Sequence, residues 1–215
     1  MKNVLMSFLF GFLVLAVACT PAEKTEDATE ETTEETTEGE ATSEEASPEA
    51  KVVASTESYT TTILEDGIAS PRKELKGTIG DTEITINYGS PSVKGRTIWG
   101  DLVPFGKVWR TGANAATTIE LSSDVTVEGE PLAAGKYALF TEPSEGSVVV
   151  IFNKVTDQWG AGKYDEGEDA LRVSVTPEAQ ETSQEALEFM VDGDKVVLAW
   201  DNWKVPFAVA AAAAE

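Results

Sequence analysis

The stretch KYALFTEPSEGSVVVIFN, residues 136–153, decides the fold class of this chain. Two runs rich in β-branched, aliphatic and aromatic residues, 136–141 and 148–153, flank the turn-forming residues EPSEG at 142–146. Such a pair predicts two antiparallel strands joined by a short loop. The second run is almost continuously apolar, which favours a strand that is buried on both faces and lies inside a sheet.

Short β-rich runs of the same kind recur along the chain and are broken by turn residues about every eight to twelve positions, a spacing typical of sandwiches and barrels. No internal repeat is visible. The other predicted strands are 73–79, 83–88, 117–121, 125–127, 171–176, 187–191, 196–200 and 205–209. We therefore predict an all-β fold, with a single sandwich or barrel-like domain of about nine strands over residues 59–209.

Two segments on the C-terminal side are less regular. Residues 177–188 begin with Pro177 and are rich in acidic residues, which fits either a helix or an irregular connection between strands. Residues 210–215 are almost entirely alanine and are predicted to form a frayed tail.

The N-terminus has the pattern of an export signal. The mainly apolar run 4–18 follows Lys2 and is shorter than the roughly 20 residues that a membrane-spanning helix needs. The run ends in small residues, as signal peptides do before their cleavage site. We predict a signal peptide over residues 1–18, cleaved before Cys19.

Cys19 is the single cysteine of the chain. The sequence AVAC at 16–19 resembles the lipobox of bacterial lipoproteins, whose cysteine is diacylated, although Leu15 lies four positions before the cysteine instead of the usual three. Ordinary cleavage after the A-x-A sequence 16–18 would instead release a protein with a free thiol. Lipidation accounts for the lone cysteine, and two acyl chains such as palmitate suffice for stable anchoring. We expect an extracytoplasmic protein whose N-terminal lipid binds the bacterial envelope, at the outer membrane.

The residues after Cys19 have a different composition. Residues 20–58 contain 13 acidic residues against two lysines, and they contain no aromatic residue. Such a segment buries too little apolar surface to offset its ordering entropy, so we predict a disordered linker over residues 19–58. The linker is either a solvated spacer or a signal for display at the cell surface, since acidic tracts behind a lipidated cysteine resemble such signals in some Gram-negative bacteria.

Residues 89–114 combine glycines and prolines with tryptophans and arginines, as functional loops often do. The motifs SPSVKGR (90–96), IWG (98–100), LVPFGKVWRTGAN (102–114) and LAAGKYALF (132–140) resemble the bacterial exported family catalogued as domain of unknown function 2911. The resemblance extends from about residue 70 to residue 207. It implies a β domain and an exported address, and it assigns no reaction, ligand or catalytic residue.

The composition excludes several familiar chemistries. The chain has no histidine, which rules out imidazole-based catalytic triads and histidine-ligated metal sites. No glycine-rich segment has the spacing of a phosphate-binding loop. A net charge of −22 with no basic stripe excludes nucleic acid as a partner. We predict no cofactor.

Aromatic residues and arginines remain as candidates for ligand recognition. The aromatic rings can stack on a sugar or a peptide, and an arginine guanidinium can hold a carboxylate in its planar fork. Such residues also serve as core packing and structural ion pairs, and for Trp109 we favour packing. Arg110 with Asn114 stays open between ligand binding and support of a turn in which Gly112 has a positive φ. The candidate ligand-binding residues are Arg96, Trp109, Arg110, Asn114, Trp159 and Tyr164.

Carboxylates offer a second kind of chemistry. The loop 165–169 carries four of them, which can serve as calcium ligands or as an acid/base pair for a glycosidic bond. Its spacing lacks the pattern of an EF-hand, and a solvated acidic loop is the simpler interpretation. Asp101 and Asp157 are further candidates for a catalytic pair.

Two functions therefore compete. The one we favour is a lipid-anchored binding or structural module of the cell envelope, without catalysis, that takes a glycan or peptide ligand; it predicts an exposed cluster of Arg96, Arg110, Asn114 and Trp159. The alternative is a carboxylate-dependent hydrolase of an extracytoplasmic glycan. The alternative predicts two carboxylates about 5–9 Å apart in a cleft.

Overall fold

The computed structural model describes residues 51–212. The predicted signal peptide, Cys19 and the predicted linker up to residue 50 lie outside the described residues. The described part is all-β, as predicted, and it contains no α-helix. A helix of the length and hydropathy needed to cross a membrane is likewise absent from these 162 residues.

Twelve strands and one 3₁₀ turn lie within the described residues. In chain order they are β1 Lys51–Ser55, β2 Tyr59–Glu65, β3 Arg72–Ile79, β4 Thr82–Gly89, β5 Thr117–Leu121, β6 Val125–Val127, β7 Glu130–Leu132, β8 Gly135–Pro143, β9 Val148–Asn153, the 3₁₀ turn Glu166–Glu168, β10 Asp169–Val175, β11 Glu178–Asp192 and β12 Lys195–Ala211.

The strands form two antiparallel sheets. The larger sheet has the order β1-β2-β3-β4-β5-β8-β9-β10, and the smaller has the order β11-β12-β6-β7. Buried apolar residues from both sheets belong to one core cluster. The architecture is therefore a β-sandwich in which each sheet buries one face against the other.

Alternation along the strands produces this core. In β4 the side chains of Ile84, Ile86 and Tyr88 are buried, whereas Glu83, which precedes Ile84, is exposed. Successive side chains of a strand point to opposite faces, so one face of β4 faces the core. The same period places Leu75 of β3 in the core.

The apolar strand β9 is buried on both faces, as its sequence predicts. Val150 and Phe152 belong to the main core, and Ile151 belongs to a second cluster on the other face with Phe140. Tyr164 packs against this second cluster. The loop between β9 and β10 thus covers the outer face of the larger sheet.

The predicted linker boundary needs correction. Residues 51–55, assigned to the linker, form strand β1, which pairs with β2. All five side chains of β1 are exposed, so the strand is held by its pairing with β2 and not by burial. A strand that buries nothing leaves no hydrophobic pattern in the sequence.

The C-terminal hairpin also differs from the prediction. Residues 178–192 form strand β11, and the predicted strands 196–200 and 205–209 are parts of the single strand β12. Asp201, with φ of 51°, lies where the register of the two strands shifts, which marks a bulge. Ala210 and Ala211 of the predicted tail pair with β6.

A cluster of three polar side chains connects the two sheets. Lys73 of β3 forms a salt bridge with Glu188 of β11, and the hydroxyl of Tyr88 in β4 donates to the other Glu188 oxygen at 2.8 Å. Burial, and secondly the charge of Glu188, raise the pKa of Tyr88 well above its ordinary value. Because all three side chains are largely withdrawn from water and mutually paired, we assign them a structural role.

Candidate functional site

A cavity of about 460 Å³ lies between strand β12 and the long connection from β4 to β5, residues 90–116. We call residues 104–116 of this connection the loop before β5. Its volume falls in the range that small-molecule sites occupy, about 300–1,000 Å³. Four of the six candidate residues line it, namely Arg96, Trp109, Arg110 and Asn114. The structure therefore brings together residues that are up to 18 positions apart in the sequence.

The loop before β5 is held in place by hydrogen bonds on both sides of Arg110. The backbone of Trp109 exchanges two hydrogen bonds with Thr141 of β8, at 2.7 and 2.9 Å. The hydroxyl of Thr117 donates to the carbonyl of Thr111 at 2.8 Å, and the Thr111 hydroxyl donates to that of Thr141 at 3.2 Å. Arg110 thus projects from a backbone that is fixed to two strands.

Two glycines permit the loop to approach the end of β4. A Cβ atom on Gly89 would lie 2.3 Å from the carbonyl oxygen of Ala113, and one on Gly112 would lie 2.9 Å from the carbonyl oxygen of Gly89. Gly112 is therefore required for close approach and not for a positive φ. The positive φ values belong to Thr111 and Asn114, at 54° and 63°.

An aromatic cluster forms the wall behind the cavity. Trp109 stacks on Trp200 with ring centroids 5.7 Å apart, and Trp99 stacks on Trp203 at 4.6 Å. Trp109 and Trp200 both line the cavity, and the Nε1 atom of Trp200 is buried without a hydrogen-bond partner among the described residues. Trp109 packs against the core, as favoured from the sequence, and also presents part of its surface to the cavity.

The charge of the cavity is opposite to that of the chain. Lys94, Arg96 and Arg110 line it, and none of the described residues that line it is acidic. These three cations make none of the salt bridges found among residues 51–212. In a protein of net charge −22, a cavity with three cations and no carboxylate is a local reversal of sign.

Arg110 is the least satisfied of these cations. Its Nε atom is buried and has no hydrogen-bond partner within the described part of the chain. Burial lowers the pKa of Arg110 from its ordinary value, which reflects the loss of hydration around the guanidinium. A buried donor left unpaired costs free energy that a ligand acceptor would recover.

Arg96 has a different local role. Its guanidinium donates to the carbonyl oxygens of Ser92 and Val93, and its backbone N–H also donates to Val93. These bonds close the turn in which Lys94 and Gly95 both have positive φ. Arg96 stabilises the rim of the cavity and contributes its charge, while its Nε is already committed to the backbone.

A second depression, of about 410 Å³, adjoins the cavity. The two share Ala69, Ser70 and Asn114 as lining residues. Trp159 lies in the second depression with 75% of its surface exposed. Its backbone pairs with Ala115, and the N–H of Gly160 donates to the carbonyl of Asn114 at 3.1 Å. We call this region the Trp159 depression.

The sixth candidate, Tyr164, lies elsewhere. Its hydroxyl hydrogen-bonds to Asp169 and accepts from Arg172 at 2.8 Å, and its ring packs on Phe140. Burial first, and then the bond to Asp169, raise the pKa of Tyr164. Arg172 also pairs with Glu142 at 3.1 Å. The structure separates Tyr164 from the cavity and joins it to this network at β8 and β10.

The carboxylates of the hydrolase alternative do not converge on the cavity. Residues 165–168 form a 3₁₀ turn in which Asp165 accepts from the N–H of Gly167 at 2.9 Å. Neither the cavity nor the Trp159 depression is lined by Asp101, Asp157 or any carboxylate of loop 165–169. Within residues 51–212 no three acidic side chains are grouped so that they could hold a metal ion.

Three lining residues escaped the sequence analysis. Lys94 and Trp200 line the cavity, and Arg72 lines the Trp159 depression. Trp200 ends the predicted strand 196–200, and Arg72 precedes a predicted strand of mixed polarity, so neither residue carries a signal of its own. Lys94 lies within the SPSVKGR motif, and its neighbour Arg96 was the residue singled out.

Comparison with known proteins identifies one family. Residues 70–209 match the model of a family described as "Protein of unknown function (DUF2911)". This match covers the whole core of the sandwich from β3 onwards and all four candidate residues of the cavity. No curated protein and no solved structure matches the chain.

Proposed function

Because the chain belongs to the DUF2911 family of proteins of unknown function, its activity has to be argued from its own site, and we propose that it is a lipid-anchored binding module of the bacterial envelope that takes a small carboxylate ligand. The ligand occupies the cavity of about 460 Å³, with its carboxylate on Arg110. The module binds its ligand without a chemical step.

The observation that carries this proposal is that Arg110, whose buried Nε has no partner among the described residues, lines a cavity with three cations and no acid. A charge-assisted hydrogen bond between a guanidinium and a carboxylate is about twice as strong as a neutral one. A carboxylate on the guanidinium would offset the desolvation that this group already suffers. Lys94 and Arg96 add attraction from the rim.

The aromatic wall indicates the rest of the ligand. Trp109 is half-buried and presents ring surface to the cavity beside Ser70 and Ser92, with Trp200, which is 1% exposed, packed behind it. A ligand with a ring or a short apolar segment next to its carboxylate fits both kinds of surface. Inorganic anions such as sulfate would leave the aromatic surface uncovered and are expected to bind weakly.

The proposed location rests on the N-terminal sequence. Cys19 follows a signal-like apolar run, and two acyl chains on it would anchor the protein in the membrane. Residues 20–50 have the composition of a solvated spacer, so the sandwich would stand clear of the lipid headgroups and meet ligands in the surrounding compartment.

The test is calorimetric titration of the purified full chain with a panel of small carboxylates and their neutral amides. The panel contains benzoate, indole-3-acetate, glucuronate and N-acetylated dipeptides. At least one carboxylate is expected to bind, with its amide at least tenfold weaker. Arg110→Gln should weaken that carboxylate at least tenfold while the unfolding free energy stays within about 1 kcal/mol of wild type.

The matched control is Lys107→Gln. Lys107 is an exposed cation of the same loop region that does not line the cavity, so its removal should leave affinity within twofold. Equal affinity of the whole panel for wild type and Arg110→Gln, or no binding by any carboxylate, would refute the proposal.

A further inference from the structure

We infer that the cavity and the Trp159 depression form one two-part site for an acidic disaccharide unit, in which a uronate occupies the cavity and a neutral sugar ring stacks on Trp159. The inference rests on the proposed function and deepens it by naming the ligand class. It assigns to Trp159 and Arg72 the role of a second subsite.

The two depressions are adjacent. Ala69, Ser70 and Asn114 line both, so a ligand that extends from the cavity across these residues would reach the Trp159 depression. Asn114 is exposed and has the left-handed backbone conformation that asparagine tolerates better than most residues. Its side-chain amide therefore stands at the junction of the two parts.

Trp159 has the properties of a stacking surface. Three-quarters of the residue is exposed, whereas its backbone is fixed by the bridge to Ala115 and by the bond from Gly160 to Asn114. The neighbouring Gln158 is only 4% exposed and donates to the carbonyl of Val155 at 2.7 Å. Because the backbone is already ordered, a ligand that covers the ring has only two side-chain torsions to fix.

The polar groups beside Trp159 are of the kind that binds hydroxyls. Arg72, Glu65 and Asn114 line the depression, and they supply guanidinium donors, carboxylate acceptors and an amide with both. The Nη1 atom of Arg72 is buried without a hydrogen-bond partner among the described residues. Burial lowers the pKa of Arg72, and the charge of Glu65 opposes this shift.

The charges of the two parts differ, and this difference sets the order of the sugars. The cavity carries three cations and no acid, whereas in the Trp159 depression one arginine is balanced by one glutamate. The anionic ring therefore belongs in the cavity and the neutral ring on Trp159. Planar polar side chains around an exposed aromatic face suit a neutral ring with several hydroxyls better than a peptide, since no unpaired strand edge lines either part to hydrogen-bond a peptide backbone.

The experiment titrates the full chain with three matched series. One series contains uronosyl-hexose disaccharides, the second contains the corresponding free uronates, and the third contains the neutral disaccharides. We expect a disaccharide to bind at least tenfold more tightly than its free uronate, and its neutral counterpart to bind more weakly than either. N-acetylated dipeptides with a free carboxyl terminus form a fourth, competing series.

Two variants separate the parts of the site. Trp159→Ala should remove the gain from the second sugar and leave the affinity for the free uronate within twofold; because the residue is 75% exposed, the fold should be retained. Trp159→Phe, which keeps a ring, should retain part of the gain. Val155→Ala removes another exposed apolar side chain of the same loop, 42% exposed, and should change neither affinity.

The outcomes distinguish this inference from the proposed function. If uronates bind through Arg110 but no disaccharide gains affinity, or if Trp159→Ala leaves the gain intact, the two-part saccharide site is wrong and the binding module stands. If the dipeptide series gains affinity instead, the ligand is a peptide and the inference is wrong. If no carboxylate of any series binds, both fail together.

Discussion

Two cations, Lys73 and Arg110, show how the surroundings of a single residue indicate its role. Lys73 is 8% exposed and is paired with Glu188, which in turn accepts from Tyr88. Arg110 is half-buried and lacks a carboxylate partner among the described residues, and its Nε has no acceptor. A satisfied cation stabilises the fold, whereas an unsatisfied one in a cavity is available to a ligand.

The pairing of Lys73 predicts a stability effect. Glu188→Leu should lower the unfolding free energy by about 2 kcal/mol, because it leaves a charged ammonium in the core. This loss of stability is smaller than the roughly 3–5 kcal/mol of fully buried pairs, because the Glu188 side chain is 24% exposed. The double variant Lys73→Met with Glu188→Leu should recover part of this loss, as measured by urea unfolding.

The control for this pair is the exposed salt bridge of Lys76 with Glu74. The Lys76 side chain is 67% exposed, so Lys76→Met should cost less than about 0.5 kcal/mol. A double variant less stable than Glu188→Leu alone would show that the buried charge is not the source of the loss.

The loop before β5 is the element on which the site depends. Trp109 and Thr111 attach it to β8, Thr117 attaches it to β5, and Gly89 and Gly112 let it touch the end of β4. These contacts fix the backbone on either side of Arg110. A site built on so constrained a loop is preformed, and binding should need little rearrangement.

The close approach at Gly89 can be tested by substitution. Gly89→Ala places a methyl group 2.3 Å from the carbonyl oxygen of Ala113 and should destabilise the protein by about 2–3 kcal/mol, at the upper end of overpacking effects. It should also weaken carboxylate binding, because the loop must shift.

Gly146→Ala, where no atom lies within 4 Å of the added methyl and φ is not positive, should be neutral or slightly stabilising. Urea unfolding and calorimetry measure both effects, and equal stability of the two variants would contradict this account of the loop.

At this scale the sequence predicted the strands that bury side chains. The bounds of β5, β6 and β9 agree with the prediction, and the turn between β3 and β4 lies between the predicted strands 73–79 and 83–88. The missed strands are β1, whose side chains are all exposed, β7, which has three residues, and β2, which alternates little and buries mainly Thr61. Backbone pairing at a sheet edge needs no hydrophobic pattern, so composition alone cannot reveal it.

The site was predicted in part for a similar reason. Arg96, Trp109, Arg110 and Asn114 belong to one continuous loop region, so their proximity could be anticipated from the sequence. Trp200 and Arg72 reach the same region from other strands through long-range pairing. Tyr164 follows Trp159 by only five positions, but the chain turns at Gly160 between them. Tyr164 therefore packs against the second core cluster and not beside Trp159.

For the molecule as a whole, the four tyrosines predict loss of stability at high pH. Burial is the largest cause that raises the pKa of Tyr59, Tyr88, Tyr137 and Tyr164 above the ordinary value of 10.0. A raised pKa in the folded state gives stability that is complete below pH 10 and is lost as the pH rises above it, because the unfolded chain releases these protons first. Urea midpoints should therefore fall between pH 9 and pH 11, and less steeply in Tyr88→Phe. A constant or rising midpoint would contradict the burial of these hydroxyls.

The proposed anchor is tested in cells. Wild-type protein should be found in the membrane fraction with a diacylated Cys19 as its first residue, and Cys19→Ala should leave the membrane, because the acyl chains supply the binding free energy. Mass spectrometry of the mature N-terminus together with membrane fractionation measures both. An intact Met1 in the purified cellular protein would refute the signal peptide, and an unmodified Cys19 in a water-soluble pool would refute the anchor.

The central claim is that Arg110 receives a carboxylate in the cavity lined by Lys94, Arg96 and Trp109. A crystal structure of the full chain with the tightest-binding carboxylate of the panel tests it most directly. The account predicts a carboxylate oxygen about 2.7–2.9 Å from a guanidinium nitrogen of Arg110, the length of a charge-assisted hydrogen bond, with the ligand ring against Trp109. A ligand bound at loop 165–169 or elsewhere, with the Arg110 guanidinium still lacking an acceptor, would contradict it.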